Sequence, residues 1–308
     1  MDTVPVNSFI FLASIAVIAQ GAVWLVDSAS RIAARLGISE LVIGLTVVAF
    51  GTSAPEVGVT VLAAIRDAGD ISVGNVVGSN IINVSVILGG TALFGALRTP
   101  ALVIKRDGPF LLGITALFIF FLFNQRLQLI ESIILLVLFV AYLLYLFVKK
   151  EGLDEEVDTS PMRPYDPFLT ILGLVMIVGG AHFMVESASF IARVYGVSEW
   201  IIGATIVAFG TSAPEIATSL IAAIRGHHAM SIGNLVGSNI FNLLLVLGIA
   251  GSIRELSVVP ESITDIFIMT GIVVLVYIFA VSGRKVSRLE GAILLAVGIA
   301  HWVYSYSR

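Results

Sequence analysis

Two carboxylates stand out in this chain. Glu56 and Glu215 each close the sequence AFGTSAPE, at 49–56 and again at 208–215, inside stretches that are otherwise apolar. An ionisable group placed in such a stretch within a bilayer costs several kcal/mol and marks a functional position. Pro55 and Pro214 directly precede them. Proline donates no backbone hydrogen bond and clashes with the carbonyl four residues back, here Gly51 and Gly210. Helix disruption inside a membrane is tolerated where the freed backbone lines a cavity. Each GTSAPE therefore brings carbonyl oxygens, hydroxyls and a carboxylate to one place, which is the chemistry of a cation site.

Spacing agrees with that reading, because residues three or four apart share a helix face. Ala49, Thr52 or Ser53, and Glu56 fall together, as do Ala208, Thr211 or Ser212, and Glu215. A second motif, GNVVGSNIIN at 74–83 and GNLVGSNIFN at 233–242, adds Ser79 and Asn83, then Ser238 and Asn242. These are hard oxygen donors, without the sulfur or clustered imidazole that softer metals select. Calcium takes about six to eight oxygens, and two bidentate carboxylates with the Thr52 and Thr211 carbonyls supply about six. Two negative charges match one divalent ion or at least two monovalent ones, so the two kinds of ion would compete. Asn83 and Asn242 read as ligands, with interhelical hydrogen bonding as the competing role.

The elements that must carry these residues are membrane helices. The 308 residues are 58% hydrophobic and only 12% charged, with 17 basic and 21 acidic side chains. That composition excludes an ordinary soluble domain, and no basic run is long enough to follow a nucleic-acid backbone. Cys 0 excludes disulfides, thiolate metal sites and a cysteine nucleophile. The opening MDTVPVN lacks the basic stretch of a cleaved signal, so the first apolar run reads as a retained span. A crossing needs about 20 apolar residues. Ten spans are expected, at 8–27, 41–66, 71–96, 109–124, 130–148, 168–190, 199–225, 231–254, 263–281 and 288–306. Runs such as IILLVL at 133–138 are apolar on every face, which rules out the alternating strands of a barrel.

Both motif pairs repeat at an offset of 159 residues, and VDSASRIAARLGISE at 26–40 answers VESASFIARVYGVSE at 185–199. The fold class expected is an all-α membrane protein of ten transmembrane helices, arranged as two inverted five-helix repeats. Residues 1–148 form the first repeat, 149–167 an acidic cytoplasmic linker and 168–308 the second. Five spans per half forces opposite orientations, and with the N-terminus outside, twelve of the 17 basic residues fall inside. The expected location is the cell membrane, multi-pass, with both termini extracellular.

Remaining polar residues read more simply. Asp27 and Glu186 suit helix capping or interfacial hydration, Arg66 and Arg225 snorkelling, and His227 and His228 exposure in a short loop. His182 and His301 offer no metal-ligand spacing. Gly44, Gly74, Gly78, Gly203, Gly233 and Gly237 read as close-packing positions.

On the paired motifs G-T-S-A-P-E and G-N-x-x-G-S-N, the chain resembles the cation/calcium exchanger superfamily, over essentially its whole length. Within it the chain is most like the prokaryotic sodium/calcium exchangers. The resemblance implies an antiporter exchanging sodium for calcium by alternating access, electrogenically. It implies calcium held by Glu56, Glu215 and the carbonyls of Thr52 and Thr211. Sodium would use the same carboxylates with Ala49, Ser53, Ser79, Ala208, Ser212 and Ser238, and Asn83 and Asn242 would line the centre. Some relatives carry Asp at the place of Asn242, and its absence argues against potassium dependence. The ions are substrates, with no cofactor, and the bilayer is the surrounding partner; neither nucleic acid nor an obligatory protein partner is implied. Spans one and six, which lack a comparable polar centre, would slide against the ion-binding core. Proton-coupled antiport and a cation channel are the alternatives. An intramembrane hydrolase is set aside for want of cysteine, HExxH or paired intramembrane aspartates.

Overall fold

Hydrocarbon offers no hydrogen bonds, so apolar runs of this length must satisfy their backbone internally as helices. The computed structural model describes residues 3–149, 161–198 and 202–307. Most of the expected linker and the start of the seventh expected span lie outside the described residues. Helices α1 (Val4–Leu36), α2 (Glu40–Thr52), α3 (Ala54–Ile65), α4 (Gly69–Phe94), α5 (Val103–Asn124) and α6 (Leu129–Lys149) make the first half. The second half holds α7 (Asp166–Val194), α8 (Thr205–Thr211), α9 (Ala213–Ile224), α10 (His228–Ile253), α11 (Pro260–Gly283) and α12 (Arg288–Ser307). Among the described residues, seven helices are long and apolar enough to cross a bilayer, and two bent pairs raise the number to nine. The chain is thus a multi-pass, all-helical membrane protein. Its first helix outruns the expected 8–27 at both ends, stopping only where Gly37 adopts a left-handed φ of 64°.

The long helices α1 and α7 form a pair of their own. A Cβ on Gly21 would come within 2.9 Å of the Gly173 carbonyl, while Gly180 faces Ser14 and Ile18, so the two run antiparallel. Close backbone approach of this kind replaces the hydrophobic effect, which is absent between helices in lipid. Near one end, Arg31 donates twice to Asp166, at 2.9 and 2.6 Å, and Ser28 bonds Thr170 at 2.7 Å. Outward, Phe9, Leu12, Phe168 and Ile171 are exposed, as lipid-facing residues are.

Helices α4 and α10 are the most buried and form the centre of the molecule. They too run antiparallel. The Asp70 carboxylate, at the start of α4, accepts the Val259 N–H at 2.6 Å just beyond the end of α10. Conversely, the start of α10 touches the strand that follows α4. Four two-residue strands, which the sequence reading did not anticipate, lie at these ends: β1 (Leu97–Arg98), β2 (Arg126–Leu127), β3 (Leu256–Ser257) and β4 (Lys285–Val286). β1 pairs antiparallel with β4, and β2 with β3. By the 159-residue offset β1 corresponds to β3 and β2 to β4, so each ladder joins non-equivalent strands of the two halves.

Two expectations for polar residues are corrected. Asp27 is not a helix cap: it lies inside α1, partly exposed, and the packing of α1 on α9 brings it to Arg225 at 2.7 and 2.8 Å. Arg225 itself stays exposed, as expected of a span-end arginine, and makes this ion pair at the surface. His227 is partly buried, with Nδ1 2.8 Å from the Glu40 carboxylate, which also accepts the Ser30 hydroxyl. A buried carboxylate at the head of α2 needs such partners, and they come from α1 and the loop before α10.

The Arg31–Asp166 pair gives a stability test, since breaking a buried pair strands the surviving charge. Arg31→Gln or Asp166→Asn should each cost about 3 kcal/mol, seen as a lowered Tm in detergent. The double variant should cost clearly less than the sum of the two.

Candidate functional site

Both GTSAPE segments interrupt their helices at the serine. α2 ends at Thr52 and α3 starts at Ala54, with a bend of 50°, and α8 ends at Thr211 and α9 starts at Ala213, with a bend of 51°. Pro55 and Pro214 occupy the first turn of the second helix in each pair, where proline is tolerated. Their missing N–H leaves the carbonyls of Gly51 and Gly210 without the usual partner. The negative ends of α2 and α8 thus point at the break, a favourable place for a cation. Glu56 and Glu215 sit in the first turns of α3 and α9, where the positive helix end favours a carboxylate. Each bend therefore supplies carbonyls from one helix and a fixed carboxylate from the next.

The two breaks face one another. Glu215 Oε1 accepts the Ser53 hydroxyl from the opposite half at 3.0 Å and the Ser238 hydroxyl at 3.4 Å. Glu56 Oε1 accepts the equivalent Ser79 hydroxyl at 3.5 Å. Both carboxylates are only 1% exposed, and they are near enough to repel each other. Among the described residues neither has an ion pair, and no three His, Cys, Asp or Glu side chains converge anywhere. Any further ligands must therefore be neutral oxygens. Those are present: Glu56 Oε2, Glu215 Oε2, Asn83 Oδ1, Asn242 Oδ1 and Ser212 Oγ are all buried without a hydrogen-bond partner. Buried polar atoms are rarely left unpaired, and here every orphan is an acceptor or can act as one. Asn83 and Asn242 lie in short π-helical segments, Ile82–Ile87 and Asn242–Val246, a distortion common at functional sites.

Other expected residues are already partly engaged. The Ala49 carbonyl accepts the Ser53 N–H at 3.0 Å and the Thr52 hydroxyl at 3.3 Å. The Ala208 carbonyl accepts the Thr211 hydroxyl at 3.2 Å. Four asparagines that the sequence reading left out complete the surroundings. Asn234 Oδ1 accepts the Thr52 hydroxyl at 3.2 Å, and its amide donates to Ser219 at 2.9 Å. Asn75 makes the equivalent bond to Thr60 at 2.9 Å. Asn80 Oδ1 takes the Asn242 amide at 3.0 Å, and the Asn80 amide donates to the Asn239 carbonyl at 3.4 Å. Asn75 was detectable, because 75, 79 and 83 form one i, i+4 stripe, and 234, 238 and 242 form its counterpart.

The halves are alike in sequence but not in packing. Gly233 and Gly237 lie hard against α2, so that a Cβ would meet the Leu41 carbonyl at 2.7 Å and the Ala49 Cβ at 2.9 Å. A Cβ on the equivalent Gly74 or Gly78 would meet nothing within 4 Å beyond its own helix among the described residues. There a cavity of about 240 Å³ separates α4 from α8, lined by Ile71, Asn75, Ala208 and Thr211. Among the described residues the surroundings of the site are thus packed toward the β1–β4 end and bordered by a cavity toward the β2–β3 end.

This asymmetry has a measurable consequence in the two threonines. Thr52→Val removes a donor from the buried Asn234 and should destabilise by about 1–3 kcal/mol. Thr211→Val, which loses only a bond within its own turn, should cost distinctly less, as a comparison of Tm values in detergent would show.

Residues 6–148 and 166–306 match the family described as sodium/calcium exchanger protein. The sodium/calcium exchanger MaX1 of Methanosarcina acetivorans is 34% identical over 97% of this chain and 98% of its own. The putative antiporter CaxA of Alkalimonas amylolytica is 35% identical over 92% of this chain and 95% of its own. Among solved structures, the sodium-calcium exchanger NCX_Mj soaked with zero Na+ and Ca2+ superposes with a TM-score of 0.89 at 30% identity. It covers 99% of this chain and 100% of that one.

Proposed function

Since the chain belongs to the sodium/calcium exchanger protein family, we propose that its two helix breaks form one midplane site at which calcium and sodium exchange across the membrane. The protein is a sodium/calcium antiporter and not an enzyme, and its ions are substrates, not cofactors. The observation that carries the site assignment is the pair of buried, unpaired carboxylates, Glu56 and Glu215, amid unsatisfied oxygens. A bound cation satisfies that arrangement.

In this reading calcium takes both carboxylates and the carbonyls of Thr52 and Thr211, about six oxygens in all. Sodium takes the same carboxylates with the hydroxyls of Ser53, Ser79, Ser212 and Ser238 and the carbonyls of Ala49 and Ala208. Asn83 and Asn242 line the centre, where their unpartnered Oδ1 atoms suit either ion. One calcium or several sodium ions satisfy the two charges, never both, and this competition couples the fluxes. Moving more sodium charge than calcium charge makes the exchange electrogenic.

The architecture is ten transmembrane helices in two inverted repeats, 1–148 and 168–308, joined by a cytoplasmic linker at 149–167. Antiparallel α1 with α7, antiparallel α4 with α10, and the exchanged pairing of the ladders support it. The positive-inside count puts both termini and the β2–β3 end outside, so the side of the site bordered by the cavity is extracellular. Access alternates when α8 closes on α4 and α2 leaves α10, each half taking the packing of the other. The α1–α7 pair, pinned by Arg31–Asp166, slides as one body across the core.

The test is calcium uptake into sodium-loaded proteoliposomes diluted into sodium-free medium. Uptake should require internal sodium and rise with an inside-positive potential that draws in no net positive charge through calcium alone. Glu56→Gln and Glu215→Gln should each reduce it at least about 100-fold, equivalent to about 2.7 kcal/mol or more, in proteins that remain folded. Near-normal uptake in either variant refutes the site, proton-driven uptake refutes sodium coupling, and uptake without any gradient refutes antiport.

A further inference from the structure

Beside the open half of the site lies a second, larger cavity of about 460 Å³, between α4, α8, α11 and α12. Its walls are apolar, including Val77 and Ile82 of α4 and Leu295 and Ile299 of α12. Ile299 on its wall is half exposed, and the cavity is partly open, not enclosed. One end is polar. There His301 Nε2 lies 3.1 Å from the Asp265 carboxylate and 3.4 Å from the Ser305 hydroxyl. Asp265 is near the start of α11 and Ser305 near the end of α12, the same end as the β2–β3 ladder, so this polar patch sits toward the membrane interface. A small polar cap over an apolar chamber of this size is the usual form of a ligand pocket.

The geometry points to an acyl chain of an extracellular-leaflet phospholipid as the occupant of this cavity, with its glycerol region at the Asp265–His301 end and its chain directed toward the midplane. The polarity gradient of the cavity runs in the same direction as that of a bilayer leaflet, and the opening beside Ile299 admits lipid sideways. The cavity is also the space that α8 would fill. In the other half the equivalent glycines, Gly233 and Gly237, are packed directly on α2, whereas Gly74 and Gly78 line this chamber. Phe209 of α8 instead meets Trp302 of α12 edge to face at 5.5 Å, on the far wall. A chain held here keeps α8 off α4, and by linkage whatever closes α8 must expel it. That second step rests on the alternating-access reading; occupation of the cavity does not.

A phosphatidylcholine carrying a diazirine in mid-chain, reconstituted with the full chain and irradiated, tests occupation without any transport. Labelling should reach Gly78, Ile82 and Phe209, and should fall about five-fold, or about 1 kcal/mol, in Ile299→Trp, which narrows the opening. Leu295→Phe serves the same purpose if that variant does not fold. Labels confined to surface positions such as Phe120 and Leu129, or unchanged by the narrowing variants, would overturn the proposal. The wedge is tested separately, because the natural chain has no cysteine. In Gly78→Cys/Ala208→Cys, whose counterparts Gly237 and Ala49 touch in the closed half, oxidative cross-linking should slow about three-fold when delipidated protein is given phospholipid. An unchanged or faster rate would remove the wedge.

Discussion

Two negative charges held in a dry interior without a counter-charge dominate the energetics of this protein. Glu56 and Glu215 are both almost fully buried and both keep one oxygen without a partner. Taking a carboxylate out of water costs several kcal/mol even after relaxation, and two adjacent ones repel. The surrounding structure answers that cost piece by piece. Helix starts at Ala54 and Ala213 place positive dipole ends under the carboxylates, and serines from both halves donate to them. Polar side chains of α4 and α10 keep the centre solvated by protein oxygens in place of water. None of this supplies a counter-charge, and that is the ground on which a cation is proposed there.

Much of that arrangement is legible from residue order alone. Proline directly before glutamate, twice, foretells where the helices break, since no tertiary contact can restore a missing N–H. The i, i+4 relation foretells that Ser79 and Asn83, like Ser238 and Asn242, share one helix face, and in the structure that face brings Ser79 to Glu56 and Ser238 to Glu215. What stays hidden are bonds between distant partners. Thr52 with Asn234, Asn80 with Asn242 and Arg31 with Asp166 each span more than a hundred residues, and no local period encodes them. The four short strands are invisible for the same reason, being fixed by register between halves and not by composition. Asp27 and His227 differ from their local reading because each finds a charged partner on a neighbouring element, which no short-range pattern encodes.

Identical motifs in unequal surroundings show what a repeat cannot specify. Gly74 and Gly233 occupy the same place in the same sequence, yet one is exposed to a chamber and the other is pressed against backbone. Among the described residues the contact is made in one half and not in the other, so what differs between the halves is set by tertiary packing and not by the motif.

The ladders carry a lesson about biogenesis. β1 pairs with β4 and β2 with β3, so Leu97 meets Val286 and Leu127 meets Leu256. The first five helices, on leaving the ribosome, present two strands whose partners have not been made. Neither half can complete its ladders alone, since each needs a strand from the other. Joining strands so far apart in sequence delays closure of these ends until most of the chain has been made.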